Sequence, residues 1–135
     1  MKSKEFIIES IKNPFARSKV QDVLYHGTDA EFKKFNRVAH GIYVTPVRSW
    51  AEAHYGNTIL EIYANVKKLI KLDYNDPEQE DIIDLFYDRD YAALAPILQQ
   101  WANEGYNCCL FGGESDSMVL FGDIQIANAA TGELM

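Results

Sequence analysis

Apolar residues recur along this chain with two different spacings, and these spacings predict where its strands and helices lie. Short apolar runs, and positions that alternate between apolar and polar, predict strands at 22–26, 41–46, 58–66, 106–111, 118–122 and 124–127. Apolar residues three or four positions apart predict helices at 3–12, 48–56, 76–88 and 90–104. Because strands and helices come in groups and do not alternate regularly, the pattern favours an α+β fold with a largely antiparallel core.

Several residues mark the ends of these predicted elements. Pro14 ends the first helix, and Gly56 and Gly105 end the second and the fourth. The third helix begins with Asp76 as N-cap, followed by Pro77 in its first turn. Residues 67–73 carry no clear spacing, and we interpret them as an irregular continuation of the strand before them.

Length and composition narrow the class of protein. A chain of 135 residues has room for one core, and a hydrophobic content of 47% excludes a disordered chain. No apolar run approaches the roughly 20 residues of a membrane-spanning helix, so we expect no membrane association. We divide the chain into an N-terminal amphipathic helix and linker at 1–21 and a single compact domain at 22–135.

The charges are distributed unevenly along the chain. The sequence has 20 acids and 13 bases, and its net charge of −7 argues against general binding to nucleic acid phosphates. Residues 1–72 contain 12 of the bases and 7 acids, whereas residues 73–135 contain one base, Arg89, and 13 acids. The first part suits a phosphate-bearing ligand, and the second part faces solvent or a basic partner.

The two cysteines, Cys108 and Cys109, are adjacent in an apolar segment. Neighbours in a strand point to opposite faces, and an ordinary disulfide between them would be strained, so we expect two buried or half-buried reduced thiols. Two cysteines and three scattered histidines do not form a zinc pattern, and we expect no metal site.

Three short motifs stand out at the ends of predicted strands. They are YHGT at 25–28, GIYVTP at 41–46 and SMVLF at 117–121, with AEAHYG at 51–56 between the second and the third. In order and spacing this set resembles the ADP-ribosyltransferase fold, in the diphtheria-toxin-like and PARP-like branch whose site is summarised as His-Tyr-Glu. The resemblance covers roughly residues 22–127. It implies a split antiparallel β-sheet core with flanking helices, and NAD as the substrate.

The resemblance also implies roles for the first motif. His26 hydrogen-bonds a ribose hydroxyl of NAD through a ring nitrogen. Gly27 has no side chain, so its backbone groups can approach the carboxamide of nicotinamide closely. Thr28 adds a hydroxyl on the adenosine side of the ligand.

The second motif and the segment after it are expected to hold the nicotinamide. Tyr43 and Tyr55 stack on the ring, and Ser49 or a near neighbour hydrogen-bonds the carboxamide. Four bases of the same half are placed to attract the pyrophosphate, although the resemblance assigns none of them a role: Lys33, Lys34, Arg37 and Arg48.

The third motif departs from the family pattern. Where the family has a Glu that hydrogen-bonds the ribose 2′-hydroxyl, this chain has Ser117, and we expect it to complete a catalytic set with His26 and Tyr43. Asp116 and Glu114 lie in the same segment and are alternative sources of the missing carboxylate.

The first residues resemble the short leader of internal head proteins of large tailed phages, in which a protease cuts after Glu in the pattern Leu or Ile, any residue, Glu. The segment Ile7-Ile8-Glu9 fits that pattern. The apolar spacing of these first residues is equally compatible with an amphipathic helix that covers the sheet and is not cleaved. The first reading implies a phage protein that is packaged in the head and acts in the host cytoplasm. The start of the chain also lacks the long apolar run of a secretory signal.

Three functions remain open at this point. The first is a mono-ADP-ribosyltransferase that cleaves the bond between nicotinamide and ribose and modifies a host macromolecule, most simply a protein. The second is a non-catalytic relative that keeps the fold and inhibits a host or defence protein through its acidic half. The third is hydrolysis of NAD, in which water is the acceptor.

Overall fold

The computed structural model describes residues 13–28, 41–54, 58–112 and 116–135. The predicted helix at 3–12 and the segment Ile7-Ile8-Glu9 lie outside them. In chain order the elements are β1 (Leu24–Thr28), β2 (Ile42–Val44), α1 (Arg48–His54), β3 (Thr58–Ala64), β4 (Leu69–Lys71), α2 (Pro77–Asp88), α3 (Tyr91–Asn103), β5 (Cys108–Leu110), β6 (Met118–Leu120) and β7 (Ile126–Asn128).

The described strands form two sheets. One has the order β1-β3-β7 and is antiparallel throughout; the other has the order β2-β6-β5-β4. In the second sheet β2 and β5 run antiparallel to β6, whereas β4 runs parallel to β5. The α+β prediction is therefore confirmed, with one parallel pair that the spacing of residues did not indicate.

The prediction of an irregular segment at 67–73 is wrong over Leu69–Lys71. These three residues form β4, in which Leu69 lies opposite Cys108. A strand this short shows no periodicity of its own, because its regular structure comes from the partner strand to which its backbone is hydrogen-bonded.

One backbone bridge joins the two sheets. The Tyr25 N–H donates to the Thr45 carbonyl at 2.8 Å, and the Thr45 N–H donates to the Tyr25 carbonyl at 3.1 Å. Tyr25 belongs to β1, and Thr45 directly follows β2. The bridge therefore brings His26, the next residue of β1, to the end of β2.

Alternation along the second sheet divides the core into two clusters. Ile42 and Val44 of β2 point to a cluster shared with β1 and β3, whereas Tyr43 points to a cluster shared with α2 and α3. The buried residues of the second cluster are Tyr43, Ile83, Phe86, Leu94, Leu98, Cys109, Phe111, Val119 and Phe121.

The described end of the predicted linker packs onto the first cluster. Val20 is one of its buried residues. The Ser18 hydroxyl lies 2.7 Å from the Ala64 carbonyl and accepts a hydrogen bond from the Val66 N–H at 2.8 Å. This segment is thereby attached to the end of β3.

Both cysteines are free and buried, as predicted. Cys108 and Cys109 point into different core clusters. Burial raises the pKa of the Cys108 thiol to about 12 and raises the pKa of Cys109 as well. The thiolate form is therefore strongly disfavoured at neutral pH, which fits a packing role.

Gly41, directly before β2, allows a stability prediction. Its φ is +82°, and a Cβ there would lie 2.4 Å from Val119 Cγ1 and 3.0 Å from the Leu120 carbonyl oxygen. Gly41→Ala is therefore expected to cost about 3 kcal/mol of unfolding free energy, from backbone strain and overpacking together. Gly105→Ala is the matched control, since Gly105 has a φ of +94° but its Cβ would come only within 3.8 Å of Lys68 Cδ. Urea unfolding of both variants measures the difference, and equal losses would contradict the overpacking.

Candidate functional site

His26 is attached to the neighbouring strand through its ring. Its Nδ1 lies 2.8 Å from the backbone carbonyl oxygen of Tyr43. Because a carbonyl oxygen only accepts hydrogen bonds, Nδ1 carries the proton and donates it. Two residues of the predicted site, which are 17 positions apart in the chain, are thus brought into direct contact.

The surroundings of His26 favour the neutral imidazole. Burial lowers the pKa of His26 below its ordinary value, and the positive charge of Arg89 lowers it further, while the hydrogen bond to the Tyr43 carbonyl acts in the opposite direction. With the proton on Nδ1, the neutral ring has its lone pair on Nε2. Nε2 is therefore a hydrogen-bond acceptor, which is what a ribose hydroxyl requires.

The lowered pKa of His26 predicts a pH dependence of stability. The unfolded chain binds the histidine proton at a higher pH than the folded chain does, so stability is full above pH 6.5 and falls as the pH drops through the folded pKa. An NMR titration of the His26 ring should give a midpoint below 6.5, the ordinary value. His26→Gln should flatten the dependence of unfolding free energy on pH in this window. A midpoint at or above the ordinary value would contradict the prediction.

Tyr43 is held on several sides and is only 7% exposed. Its hydroxyl donates to the Phe86 carbonyl at 2.9 Å, and its ring makes edge contacts with Phe86 and Phe111 at centroid distances of 6.4 and 5.8 Å. The guanidinium carbon of Arg89 lies 4.9 Å from the ring centroid. In this arrangement a ligand ring reaches only a small part of Tyr43, and stacking requires a side chain to move aside.

Arg89 is one residue near this site that the sequence did not assign. It is the C-cap of α2, and its left-handed backbone, with φ 55°, turns the chain toward α3. The available signal was its position as the one base among residues 73–135, next to the end of a well-predicted helix. Its proximity to Tyr43 depends on how α2 packs against the second sheet, and the spacing of residues does not contain that information.

Ser117 directly precedes β6, in which Met118 lies opposite Val44 and Val119 lies opposite Tyr43. Ser117 is 1% exposed, and its carbonyl accepts hydrogen bonds from the N–H groups of Phe111 and Gly112, both at 3.0 Å. Ser117 can therefore contact a ribose only if the residues that cover it move.

Two nearby residues add to the description of the third motif. Asp116 precedes Ser117, is exposed and has a left-handed φ of 49°. Thr45 is completely buried, and the Val47 N–H donates to its hydroxyl at 3.1 Å. Thr45 is a second residue that the sequence did not assign, although GIYVTP contains it.

Three other predicted site residues lie on β1 and α1. Gly27 is buried in β1 opposite Ile59, Thr28 ends β1 opposite Thr58, and Ser49 is exposed in α1. Tyr55, Glu114, Lys33, Lys34, Arg37 and the side chain of Thr28 lie outside the described residues.

Arg48 forms salt bridges with two carboxylates. Its Nη1 lies 2.7 Å from Glu61, and its Nε lies 3.3 Å from Glu52. These bonds raise the pKa of Arg48 and direct its charge toward α1 and β3. A phosphate would have to compete with both carboxylates for this guanidinium.

Comparisons of the chain with protein-family models, with curated proteins and with solved structures find no match. In the described part of the chain, no helix has the length and apolar character needed to span a membrane. Among the same residues, no three His, Cys, Asp or Glu side chains form a group that could hold a metal ion.

Proposed function

We propose that this protein is an NAD-dependent ADP-ribosyltransferase that cleaves the bond between nicotinamide and ribose and transfers ADP-ribose to a host macromolecule. The observation that carries the proposal is the contact of the His26 ring with Tyr43 where two sheets meet. The resemblance to the ADP-ribosyltransferase fold implies that both residues belong to one site, and the two residues in contact come from its first and second motifs.

The proposed reaction requires a positioned ribose more than a strong acid or base. Its transition state resembles an oxocarbenium ion, which is stabilised by fixed orientation and by acceptors near the developing positive charge. The neutral His26 ring offers Nε2 as the acceptor for a ribose hydroxyl. The same ring is fixed by its other nitrogen, since Nδ1 donates to the Tyr43 carbonyl.

The third motif is expected to work without the family's carboxylate. When a neutral Ser117 hydroxyl replaces the carboxylate, the loss of the charge-assisted hydrogen bond reduces transition-state stabilisation by about 1.5–3 kcal/mol. This corresponds to a roughly 10- to 150-fold lower rate. The exposed Asp116 is the described carboxylate nearest to it in the chain. We therefore propose a slow transferase, in which Asp116, Glu114 or the acceptor supplies part of the missing charge.

The experiment combines the folded protein with biotin-labelled NAD and a bacterial lysate. Label on a macromolecule together with released nicotinamide supports transfer. Released nicotinamide without a labelled macromolecule identifies hydrolysis, with water as the acceptor. If a chain shown to be folded by circular dichroism yields neither product, the enzymatic proposal is wrong.

A second candidate function is favoured by the surface of α2. This helix exposes five carboxylates, and three exposed tyrosines lie close to it along the chain: Glu78, Glu80, Asp81, Asp84 and Asp88, with Tyr74, Tyr87 and Tyr91. Such a surface is complementary to a basic protein, and the 1% exposure of Ser117 fits a domain that binds without catalysis.

The two functions differ in which substitution abolishes them. A binding protein should capture the same partner after His26→Ala, and should lose it when Asp81 and Asp84 are both changed to Lys. A transferase should behave in the opposite way, and turnover of NAD by the wild-type chain would count against the binding protein.

A further inference from the structure

Strand β4 has a hydrogen-bonded neighbour on one side only. It is the last strand of the second sheet, whose order is β2-β6-β5-β4, and the described residues form no strand beyond it. Strand β2, which carries Tyr43, lies at the opposite edge of that sheet. The open edge of β4 is therefore separate from the proposed site for NAD and independent of the proposed function.

The backbone of β4 presents donors and acceptors to this open edge. In the parallel pairing of β4 with β5, the Leu72 N–H donates to the Leu110 carbonyl at 2.9 Å. Alternate residues of a parallel strand direct their backbone groups to the same neighbour, so Ile70 also faces β5. Leu69 and Lys71 therefore direct their N–H and C=O groups away from β5. None of these four groups has a hydrogen-bond partner among the described residues.

Two apolar side chains of β4 are incompletely covered at the same edge. Leu69 packs against the first cluster of the core and Ile70 against the second, and both are half-buried. A further strand beside β4 would remove more of their apolar surface from water, which favours association. The edge therefore offers both backbone pairing and apolar contact to an extended segment.

Positive charge surrounds the open edge of β4. Lys19 is brought close to it, because the Lys19 N–H donates to the Val66 carbonyl at 2.7 Å. Both salt bridges found among the described residues belong to Arg48, so no described carboxylate pairs with the lysines near β4. Four exposed lysines lie on β4 or beside it: Lys19, Lys67, Lys68 and Lys71.

The nearest groups of opposite polarity leave most of this charge available. Lys68 Nζ donates to the Glu104 carbonyl at 3.1 Å and lies 4.1 Å from the centroid of the Tyr106 ring. Asp73, the first acid after β4, accepts a hydrogen bond from the Asn75 N–H at 2.9 Å. The two lysines best placed to meet a carboxylate beside β4 are therefore Lys67 and Lys71.

We propose that the open edge of β4 binds an extended acidic segment of a partner protein, which adds to the second sheet as a further strand. The backbone groups of Leu69 and Lys71 hydrogen-bond the main chain of the segment, and its carboxylates face the lysines. Charge also disfavours a second copy of this chain as the occupant. Two copies joined along β4 would bring two sets of these lysines together.

Amide hydrogen exchange with peptide probes tests the proposal. The probe is a seven-residue peptide of alternating glutamate and valine, blocked at both ends, and a lysine–valine peptide of the same length is its control. In the free chain the amides of Leu69 and Lys71 should exchange faster than those of Ile70 and Leu72. A saturating amount of the acidic peptide should slow exchange at Leu69 and Lys71 about 10-fold or more, and the basic peptide should leave it unchanged.

Two changes separate the contribution of charge from that of the backbone. The double variant Lys67→Glu, Lys71→Glu should bind the acidic peptide about 10-fold more weakly and should bind the lysine–valine peptide in its place. A glutamate–valine peptide with methylated amide nitrogens keeps its charge but has no donors. It should bind the wild-type chain about 10-fold more weakly than the unmethylated peptide. If the double variant does not fold, the methylated peptide still decides, because it leaves the protein unchanged.

Protection of Leu69 and Lys71 by the acidic peptide, with reversed peptide preference in the double variant, supports the proposal. It is wrong if the acidic peptide leaves these amides unchanged or if the methylated peptide binds equally well. Slow exchange of both amides in the dilute free chain would show that the edge is already covered. Protection that increases with protein concentration alone would assign the edge to a second copy, and would overturn the acidic partner. None of these outcomes alters the test of the proposed function, which measures products of NAD.

Discussion

His26→Ala should reduce the transfer of ADP-ribose about 100-fold or more, while the chain remains folded. The substitution removes the Nε2 acceptor for the ribose and also the ring that joins β1 to the Tyr43 carbonyl. A misplacement of about 1 Å in an oriented reaction is enough for a loss of this size. The measurement is the rate of label transfer from biotin-labelled NAD at a saturating concentration, with the unfolding midpoint determined on the same preparation.

Two further variants separate the structural role of His26 from its role toward the ligand. The amide nitrogen of Asn takes the place of Nδ1, so His26→Asn keeps a donor for the Tyr43 carbonyl but has no atom at the position of Nε2. Gln extends to the position of Nε2 and lacks the ring. We expect His26→Asn to be the more stable of the two and to be as inactive as His26→Ala. Full activity of His26→Asn would contradict a direct contact between His26 and the ribose.

Phe86→Ala should cause the largest loss of stability, about 3–5 kcal/mol of unfolding free energy. The Phe86 side chain is completely buried, and its ring stacks on Phe111 at a centroid distance of 4.8 Å. It also contacts the ring of Tyr43, so the cavity would lie directly behind the proposed site. Urea unfolding measures the loss, and the activity of the fraction that remains folded should also fall, since Tyr43 loses a neighbour.

Leu134→Ala is the control for this substitution. The Leu134 side chain is 67% exposed, and its truncation should change the unfolding free energy by no more than about 0.5 kcal/mol. Comparable losses in both variants would show that the second core cluster does not depend on Phe86. A loss of stability in Phe86→Ala with wild-type label transfer would show that Tyr43 needs no support from α2.

Helix α2 shows how well a local signal predicts structure. The chain predicts a helix at 76–88 with Asp76 as its cap, and the helix spans Pro77–Asp88 with Asp76 Oδ1 accepting from the Glu78 N–H at 3.0 Å. Cap, proline and apolar spacing all act within a few residues of one another. Their effect is therefore visible in the sequence without any knowledge of the rest of the fold.

The surroundings of the proposed site, in contrast, could not be predicted from local signals. The motifs predict that His26 and Tyr43 belong to one site, and the structure joins the two residues by a hydrogen bond, but a resemblance does not indicate that Tyr43 is 7% exposed. That burial arises from α2 and α3, which cover the second sheet and belong to a different part of the chain. The charge of residues 1–72 predicts a phosphate ligand among Lys33, Lys34, Arg37 and Arg48, whereas the described cation next to Tyr43 is Arg89 of the acidic part.

The sequence by itself determined the class of the fold, the limits of its described helices to within about two residues and the motif residues worth testing. These properties depend on spacing and capping, which act between neighbours along the chain. Only the tertiary structure decided the bridge between Tyr25 and Thr45, the parallel strand Leu69–Lys71 and the place of Arg89 over Tyr43. Each of these depends on backbone pairing or packing between segments far apart in sequence, and the pattern of any one segment is compatible with several partners.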